Sequence, residues 1–276
     1  MKKINLPLSA LFLFIAVAAN AQKLPNVQQT SLRAPANIKV DGKATEWNNQ
    51  FQTYNKATEI FYTISNDDDK LYLTVQATDP NIIRKIIGGG ITFTVNPSGK
   101  KNDKDGVAIT FPEYDKKNPP FYVTLDNKPM PTKDTVKNRM QADSFLNAHN
   151  VQLSDKLKLI GVVGVKSISD NVISIYNAEG IKAVSLFDNK IYYTYELAIP
   201  LKYLELTINK PLKFSYNIKL NGMIPKGSTM IDTGRPDLIV FVGPDGVTYS
   251  GGKASSENMV LYYPTDFWGE YTLAKK

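Results

Sequence analysis

The stretch from Ile38 to Trp47, which reads Ile-Lys-Val-Asp-Gly-Lys-Ala-Thr-Glu-Trp, predicts how the folded domain begins. Ile38 and Val40 alternate with polar neighbours, which is the pattern of a half-buried strand. Asp41-Gly42 then predicts a tight turn, because Asp hydrogen-bonds its own backbone and Gly tolerates positive φ. The large surface of Trp47 favours a packed position at the mouth of a core. We therefore expect a β domain whose first strand and turn lie here.

The first 21 residues are typical of a secretory signal peptide. Lys2 and Lys3 give a positive start, Leu8 to Ala18 is mostly apolar, and Ala19-Asn20-Ala21 has the small residues of a cleavage site. That apolar run is shorter than the roughly 20 residues of a membrane-spanning helix, and no later stretch is apolar enough to form one. Because the chain has no Cys, it offers no thiol for lipid attachment. We expect an exported protein, periplasmic or extracellular, that is not a lipoprotein.

Length and charge limit the domain count and the kinds of partner. The chain has 276 residues, so residues 37–276 can form a single domain after an N-terminal linker or strap at residues 22–36. The formal net charge of +7 favours an anionic partner. However, the cations alternate with Asp and Glu and form no basic stripe with aromatics, which argues against nucleic acid.

Short alternating segments separated by turn residues indicate an all-β fold. Ile60 to Ser65 and Lys70 to Ala77 flank Asn66-Asp67-Asp68-Asp69, which predicts a hairpin. In the second run Tyr72, Thr74 and Gln76 share one face, which we expect to be partly wet. Further strands are predicted at residues 91–95, 107–111, 121–125, 157–166, 172–176, 181–186, 191–199, 211–220, 238–242 and 258–263. This rhythm predicts an antiparallel β-sandwich of two sheets.

Two segments interrupt this rhythm. Gly88-Gly89-Gly90 is interpreted as a bend or bulge before the next strand, because a phosphate loop would continue into a helix. Residues 126–150 are predicted to be a partly irregular insertion, with a short helix from Thr135 to Ala148.

Four separated segments follow one another in a familiar order. They are Ile38-Lys39-Val40-Asp41-Gly42 with Glu46-Trp47, Asp67-Asp68-Asp69-Lys70-Leu71-Tyr72-Leu73, Tyr195-Glu196-Leu197-Ala198-Ile199-Pro200-Leu201, and Pro264-Thr265-Asp266-Phe267-Trp268-Gly269. In this order the chain resembles family 9 carbohydrate-binding modules and their relatives with DOMON-like sandwiches. The resemblance implies a two-sheet sandwich that works beside polysaccharide-degrading enzymes, and a ligand held by Trp rings and polar groups.

The middle strand departs from the resemblance. Sugar-binding members carry a Trp and an acidic pair there, whereas residues 88–96 of this chain contain neither Trp nor carboxylate. No sugar contact can therefore be transferred from the family. Trp47 is expected to pack as scaffold, and the candidate ligand-binding residues are the aromatics Trp268, Tyr263, Tyr114 and Tyr122.

The sequence offers few groups for catalysis. His149 is the only histidine, no Gly-x-Ser-x-Gly is present, and Cys is absent, so we predict no catalytic residue of the nucleophilic kind and no His/Cys zinc or haem site. The carboxylates available to a glycosidase are Glu113, Asp115 and Glu196. We expect Glu113 and Asp115 to lie in a loop and Glu196 to be solvated or paired at an edge.

Asp67 to Asp69 could bind calcium through their carboxylate oxygens. The run lacks the spaced loop and closing Glu of an EF-hand, and an acidic hairpin tip is the commoner explanation for it. We predict no cofactor and leave calcium open.

These features together predict an exported, non-catalytic carbohydrate-binding protein that serves polysaccharide capture or use. Two alternatives remain open. One is a structural or interaction protein of the cell envelope with a degenerate sugar site, and the other is a glycoside hydrolase.

Overall fold

The computed structural model describes residues 23–276 except 103, 127–131, 225–226, 232, 236–237, 245 and 253–255. The predicted signal peptide lies outside the described residues. Two antiparallel sheets of five and six strands form a sandwich, and three further strands form a small third sheet. The predicted all-β sandwich of two sheets is therefore confirmed.

Strands β1 to β14 and helices α1 to α3 follow one another along the chain. In order, the strands are Thr53–Asn55, Ile60–Asn66, Lys70–Ala77, Ile91–Asn96, Val107–Glu113, Leu159–Val163, Val172–Ser174, Lys182–Phe187, Tyr193–Pro200, Lys213–Leu220, Thr229–Ile231, Ile239–Val242, Thr248–Gly252 and Thr265–Thr272. The helices are Pro80–Gly89, Thr135–Lys156 and Ser256–Tyr262, with 3-10 turns at Thr45–Trp47 and Leu201–Leu204.

The strand orders are β1-β2-β3-β9-β8 in the five-stranded sheet and β14-β10-β4-β5-β6-β7 in the six-stranded sheet. The predicted hairpin is confirmed as β2 and β3, with Ile64 opposite Leu73. Strands β11, β12 and β13 pair only with one another among the described residues.

The core lies between the two large sheets, where alternate side chains of every long strand meet. Tyr62 of β2 and Tyr216 of β10 share a hydrogen bond of 2.9 Å across the sandwich, and both side chains are fully buried. Phe111 and Tyr195 also meet across it, with ring centroids 5.8 Å apart. Aromatic rings of this size supply much of the apolar burial that stabilises a sandwich.

The opening stretch does not form the predicted first strand. Residues 38–40 have no strand partner, and the Asp41 and Gly42 N–H groups both donate to Glu196 Oε2 over 2.9 Å. A side-chain carboxylate therefore takes the place that a neighbouring strand would occupy. The predicted turn is confirmed, since Gly42 has a φ of 81°.

Residues 41–52, here called the strap, are distinct from the predicted N-terminal segment at residues 22–36 and cross the outer side of the five-stranded sheet. The strap begins beside Leu186 of β8 and Glu196 of β9. It reaches β2, where Gln52 N donates to Thr63 Oγ1 over 3.1 Å and the Phe51 ring lies 6.1 Å from Phe61.

The strap explains why the outer side of this sheet is not wet. Thr74 is only 2% exposed and Gln76 only 7%, so the expectation of a partly wet face is wrong. Trp47 lies in the strap and is half-buried. It does not belong to the core between the sheets within the described residues, so the expectation that it closes the mouth of that core is wrong.

Helix α1 replaces the predicted glycine bend. Asp79 caps its first turn by accepting from Asn81 N and Ile82 N, and Pro80 occupies the first helical position. Four isoleucines at 82, 83, 86 and 87 bury its inner side. Gly89 ends the helix where a Cβ would collide with the carbonyls of Asn221 and Gly222.

Three other expectations need correction. Residues 121–125 form no strand. The segment predicted as a strand at residues 258–263 lies mostly in α3, because its consecutive apolar residues lack the alternation of a strand. Helix α2 occupies the predicted insertion but runs on to Lys156. Among the described helices, none is both long and apolar enough to cross a membrane.

Asn66, the last residue of β2, joins the two ends of the described chain. Its backbone N–H donates to Leu32 O and its carbonyl accepts from Ala34 N, over 3.1 and 2.9 Å. Its side chain accepts from Ala274 N over 2.8 Å and donates to Ala274 O over 3.1 Å.

Candidate functional site

The outer side of the six-stranded sheet differs from that of the five-stranded sheet because polar side chains remain accessible there. The accessible side chains that we treat as one site, here called the polar face, are Asp266 and Trp268 on β14, Lys219 on β10, Thr92 on β4 and Thr110 on β5. All are half-buried except Asp266, which is exposed.

Alternation along β14 directs Trp268 outwards. Phe267, Gly269 and Tyr271 are buried on the core side, and Trp268 lies between them. Gly269 is needed at its position because a Cβ would collide with the Tyr216 ring. The indole N–H of Trp268 makes no hydrogen bond to any described residue, so it is free to donate to a ligand.

Asn217 of β10 lies directly opposite Trp268 and holds this edge of the site in place. Its side-chain amide donates to Asp266 Oδ2 over 2.7 Å and to Phe267 O over 3.0 Å. Because Asn217 is only 3% exposed, it serves to position Asp266. The Asp266 carboxylate therefore has a fixed orientation beside Trp268.

A row of polar side chains crosses four strands of the polar face. In the strand register, Asp266 lies opposite Lys219, Lys219 opposite Thr92, and Thr92 opposite Thr110. The Thr92 and Thr110 hydroxyls lie 2.8 Å apart, and Asn221 Nδ2 donates to Thr92 Oγ1 over 2.9 Å. The row therefore presents a carboxylate, an ammonium and two hydroxyls in a fixed order.

Below Trp268, ion pairs border the polar face. Glu270 contacts the ammonium groups of Lys213 and, over 3.6 Å, Lys101. The hydrogen bond and charge of Lys213, with a smaller effect of Lys101, lower the pKa of the Glu270 carboxyl. The loop that carries Lys101 is tied to the sheet, since Ser215 Oγ donates to Gly99 O over 2.6 Å.

The four aromatics predicted to bind ligand do not gather in one place. Trp268 lies on the polar face, whereas Tyr263 follows α3 directly and precedes β14. Tyr122 is 72% exposed and lies in the segment between β5 and α2. Tyr114 donates its hydroxyl to Ile87 O in the last turn of α1, and burial raises its pKa. Its hydroxyl is therefore engaged within the protein.

The three carboxylates singled out for glycoside hydrolysis do not lie on one sheet, since Glu113 and Asp115 are at the end of β5 and Glu196 is on β9 of the five-stranded sheet. Glu113 belongs to β5, not to a loop, and its Oε2 lies beside Gly161. Asp115 lies in a loop, as expected, and accepts from Lys117 N and Asn118 N over 2.8 and 2.7 Å.

Glu196 is neither solvated nor paired at an edge, because the strap covers it. Only 3% of Glu196 is exposed. Burial raises its pKa to about 7, although the N–H groups of Gly42 and Asp41 oppose that rise. Glu196 therefore anchors the strap.

The described residues contain no group of three or more His, Cys, Asp or Glu side chains that could hold a metal ion. Asp67 Oδ1 accepts from Asp69 N and Lys70 N over 2.8 and 2.7 Å, so it shapes the hairpin turn. His149 lies within hydrogen-bonding distance of Phe145 O and Thr124 O, at 2.8 and 3.2 Å.

A shallow cleft of about 460 Å³ lies at one end of the sandwich. The side chains that line it are Ser167, Ile168, Ala178, Glu179, Lys202 and Tyr203. The Lys202 ammonium lies 4.8 Å from the centre of the Tyr203 ring. This cleft is separate from the polar face.

The sequence could have revealed part of the polar face. Ser215, Asn217 and Lys219 alternate with apolar residues in β10, as Thr92 and Thr94 do in β4. Alternation alone gives the side of a sheet but not which strands are neighbours. Lys219 and Thr110 were missed for that reason.

Comparison with known proteins gives no family for this chain. No family model matches it, and no curated protein matches it significantly.

Proposed function

We propose that this protein binds carbohydrate without catalysis, and that the polar face is its binding surface. The observation that carries the proposal is the position of Trp268, half-buried on the outer side of the six-stranded sheet beside a fixed row of hydrogen-bonding groups. The apolar C–H side of a sugar ring stacks on an indole, while its hydroxyls need directional donors and acceptors. Asp266, Lys219, Thr92 and Thr110 supply both kinds.

The spacing of Asp266 and Glu113 argues against their acting as a glycosidase pair. Asp266 and Glu113 both lie on this side of the sheet, but β14 and β5 are three strand spacings apart, which is about 14 Å. Glycosidases hold their two carboxyl groups about 5 to 9.5 Å apart.

The first experiment is a glycan array with the mature protein, which should identify bound plant, host or bacterial glycans. Titration calorimetry with the best ligand then compares Trp268→Ala with a matched control, Tyr176→Ala, whose ring is 77% exposed elsewhere. Loss of the stacking ring should weaken binding about tenfold or more, since stacked aromatic pairs and their burial contribute on the order of 1 to 3 kcal/mol.

Two outcomes would overturn the proposal. One is the absence of binding to every glycan on the array, and the other is equal affinity of the wild type and Trp268→Ala. Tyr122→Ala and Tyr263→Ala test the remaining predicted aromatics in the same titration, and a loss only in these variants would move the site away from Trp268.

A second candidate function is an interaction protein of the cell envelope. Val172 lies on β7, the last strand of the six-stranded sheet, and is 40% exposed, and Val163 of β6 is 53% exposed. Apolar side chains beside an open strand edge favour contact with another protein. Light scattering of the pure protein, compared with Val172→Lys, would show whether this edge drives self-association.

A further inference from the structure

Lys219 has an unusual place on the polar face. Its side chain is half-buried in the middle of the row. Among the described residues, its ammonium makes neither an ion pair nor a hydrogen bond. A partly desolvated ammonium without a partner is unfavourable, so a ligand group that pairs with it would gain both charge and a hydrogen bond.

Two anionic side chains of β14, Asp266 and Glu270, lie on either side of Trp268. Asp266 Oδ2 accepts from the Asn217 amide over 2.7 Å. The single charge of Glu270 is shared by Lys101 and Lys213. The Asn217 amide is neutral, so Asp266 keeps its negative charge. Asp266 and Glu270 together face three cations, Lys101, Lys213 and Lys219, so the formal net charge of these five groups is +1.

The geometry allows one sugar to use both Trp268 and Lys219. Asn217 lies opposite Trp268, and Lys219 is two residues further along β10. Two residues of a strand span about 7 Å. The flexible four-carbon stem of a lysine can cross much of that distance to reach a substituent of a ring stacked on Trp268.

The opposite end of the polar face is less suited to an anion. Glu113 lies beside Gly161 and close to Thr110, and its carboxylate would repel a negative group there. Selectivity for charge should therefore reside on the Trp268 side.

We propose that the polar face selects acidic glycans, whose ring carboxylate or sulfate binds the Lys219 ammonium while the ring stacks on Trp268. This inference rests on the proposed carbohydrate-binding function. To that function it adds the chemical class of the ligand and names Lys219 as the residue that recognises the acidic group.

Two matched ligand pairs test the proposal by titration calorimetry. The first pair is a galacturonate hexamer and a galactose hexamer, which differ in the ring carboxylate. The second pair is a sulfated chondroitin hexamer and its desulfated form. Whichever pair shows the larger difference identifies the anion that the site prefers.

We expect the wild type to bind the more acidic member about five- to tenfold more tightly, as one charge-assisted hydrogen bond allows. Lys219→Met should remove this preference, because it weakens binding of the more acidic member more than binding of the other member. Lys182→Met is the matched control, because Lys182 is an exposed cation of β8 in the opposite sheet. It should keep the preference.

The outcomes separate this inference from the proposed function. Equal binding of both members of each pair by the wild type would overturn the inference, as would the same loss in Lys182→Met and Lys219→Met. In either case Trp268-dependent binding of the uncharged hexamer leaves carbohydrate binding intact. If no hexamer binds and the array is also negative, both proposals fail.

Discussion

Replacement of Glu196 by Gln tests how the strap is held. The Gln amide oxygen can accept the two N–H groups of Asp41 and Gly42 that now donate to the carboxylate. The replacement therefore removes ionisation while it preserves the shape of the anchor. Any difference between the two proteins should depend on pH.

The size of the effect follows from the pKa. Burial raises the pKa of Glu196 from its ordinary 4.5 to about 7. At about 1.4 kcal/mol per pKa unit, this difference corresponds to roughly 3 kcal/mol. Because the pKa of the acid is higher in the folded state, folding favours the protonated form. The contribution to stability is complete below pH 4.5 and is lost as the pH rises to about 7.

The assay is urea unfolding at pH values from 4.5 to 8, followed by Trp fluorescence. The free energy of unfolding of the wild type should fall relative to Glu196→Gln by about 3 kcal/mol across this range, then level off. Asp170→Asn is the control, since Asp170 is an exposed loop residue. Parallel pH profiles for the wild type and Glu196→Gln would refute the reasoning.

Three further predictions concern the scaffold, and each is measured by urea unfolding. Tyr216→Phe should lower the free energy of unfolding by about 1 kcal/mol, because it removes the buried hydrogen bond to Tyr62; an unchanged midpoint would argue that this bond is energetically neutral. Gly89→Ala should cost more than 2 kcal/mol, on the order of an overpacked core, because its Cβ would meet the Asn221 and Gly222 carbonyls. Lys85→Met should stabilise the protein at pH 7, because burial lowers the pKa of Lys85 to about 8 and Thr265 is its only hydrogen-bond partner within the described residues. The gain should shrink as the pH rises above 8, where the lysine loses its charge, and a gain that does not change with pH would contradict this account.

The strands could be predicted because alternation is a local signal. The hairpin of β2 and β3 is readable from adjacent residues, and its bounds agree with the structure to within one residue. Helix α1 was missed, although Asp79-Pro80 and the spacing of its isoleucines are local signals too. Three consecutive glycines are typical of a bend, so the helix that ends at these glycines was not predicted.

The strap could not be predicted, because its anchor lies far along the chain. Nothing near Asp41 shows that its N–H will meet a carboxylate at position 196. The polar face has the same limitation. The outward direction of Trp268 follows from alternation, but its neighbours depend on how β14, β10 and β4 pair, and only the folded register supplies that.

The contacts of Asn66 make the molecule a candidate for circular permutation. Because residues 32–34 and Ala274 bond to the same asparagine, a short flexible peptide could join the two ends without crossing the sandwich. New ends placed at the exposed turn of Asp188 to Lys190 would leave every pairing of the six-stranded sheet intact. In such a permuted chain the strands are synthesised in a different order. Its folding would show whether the strand register of the polar face depends on that order.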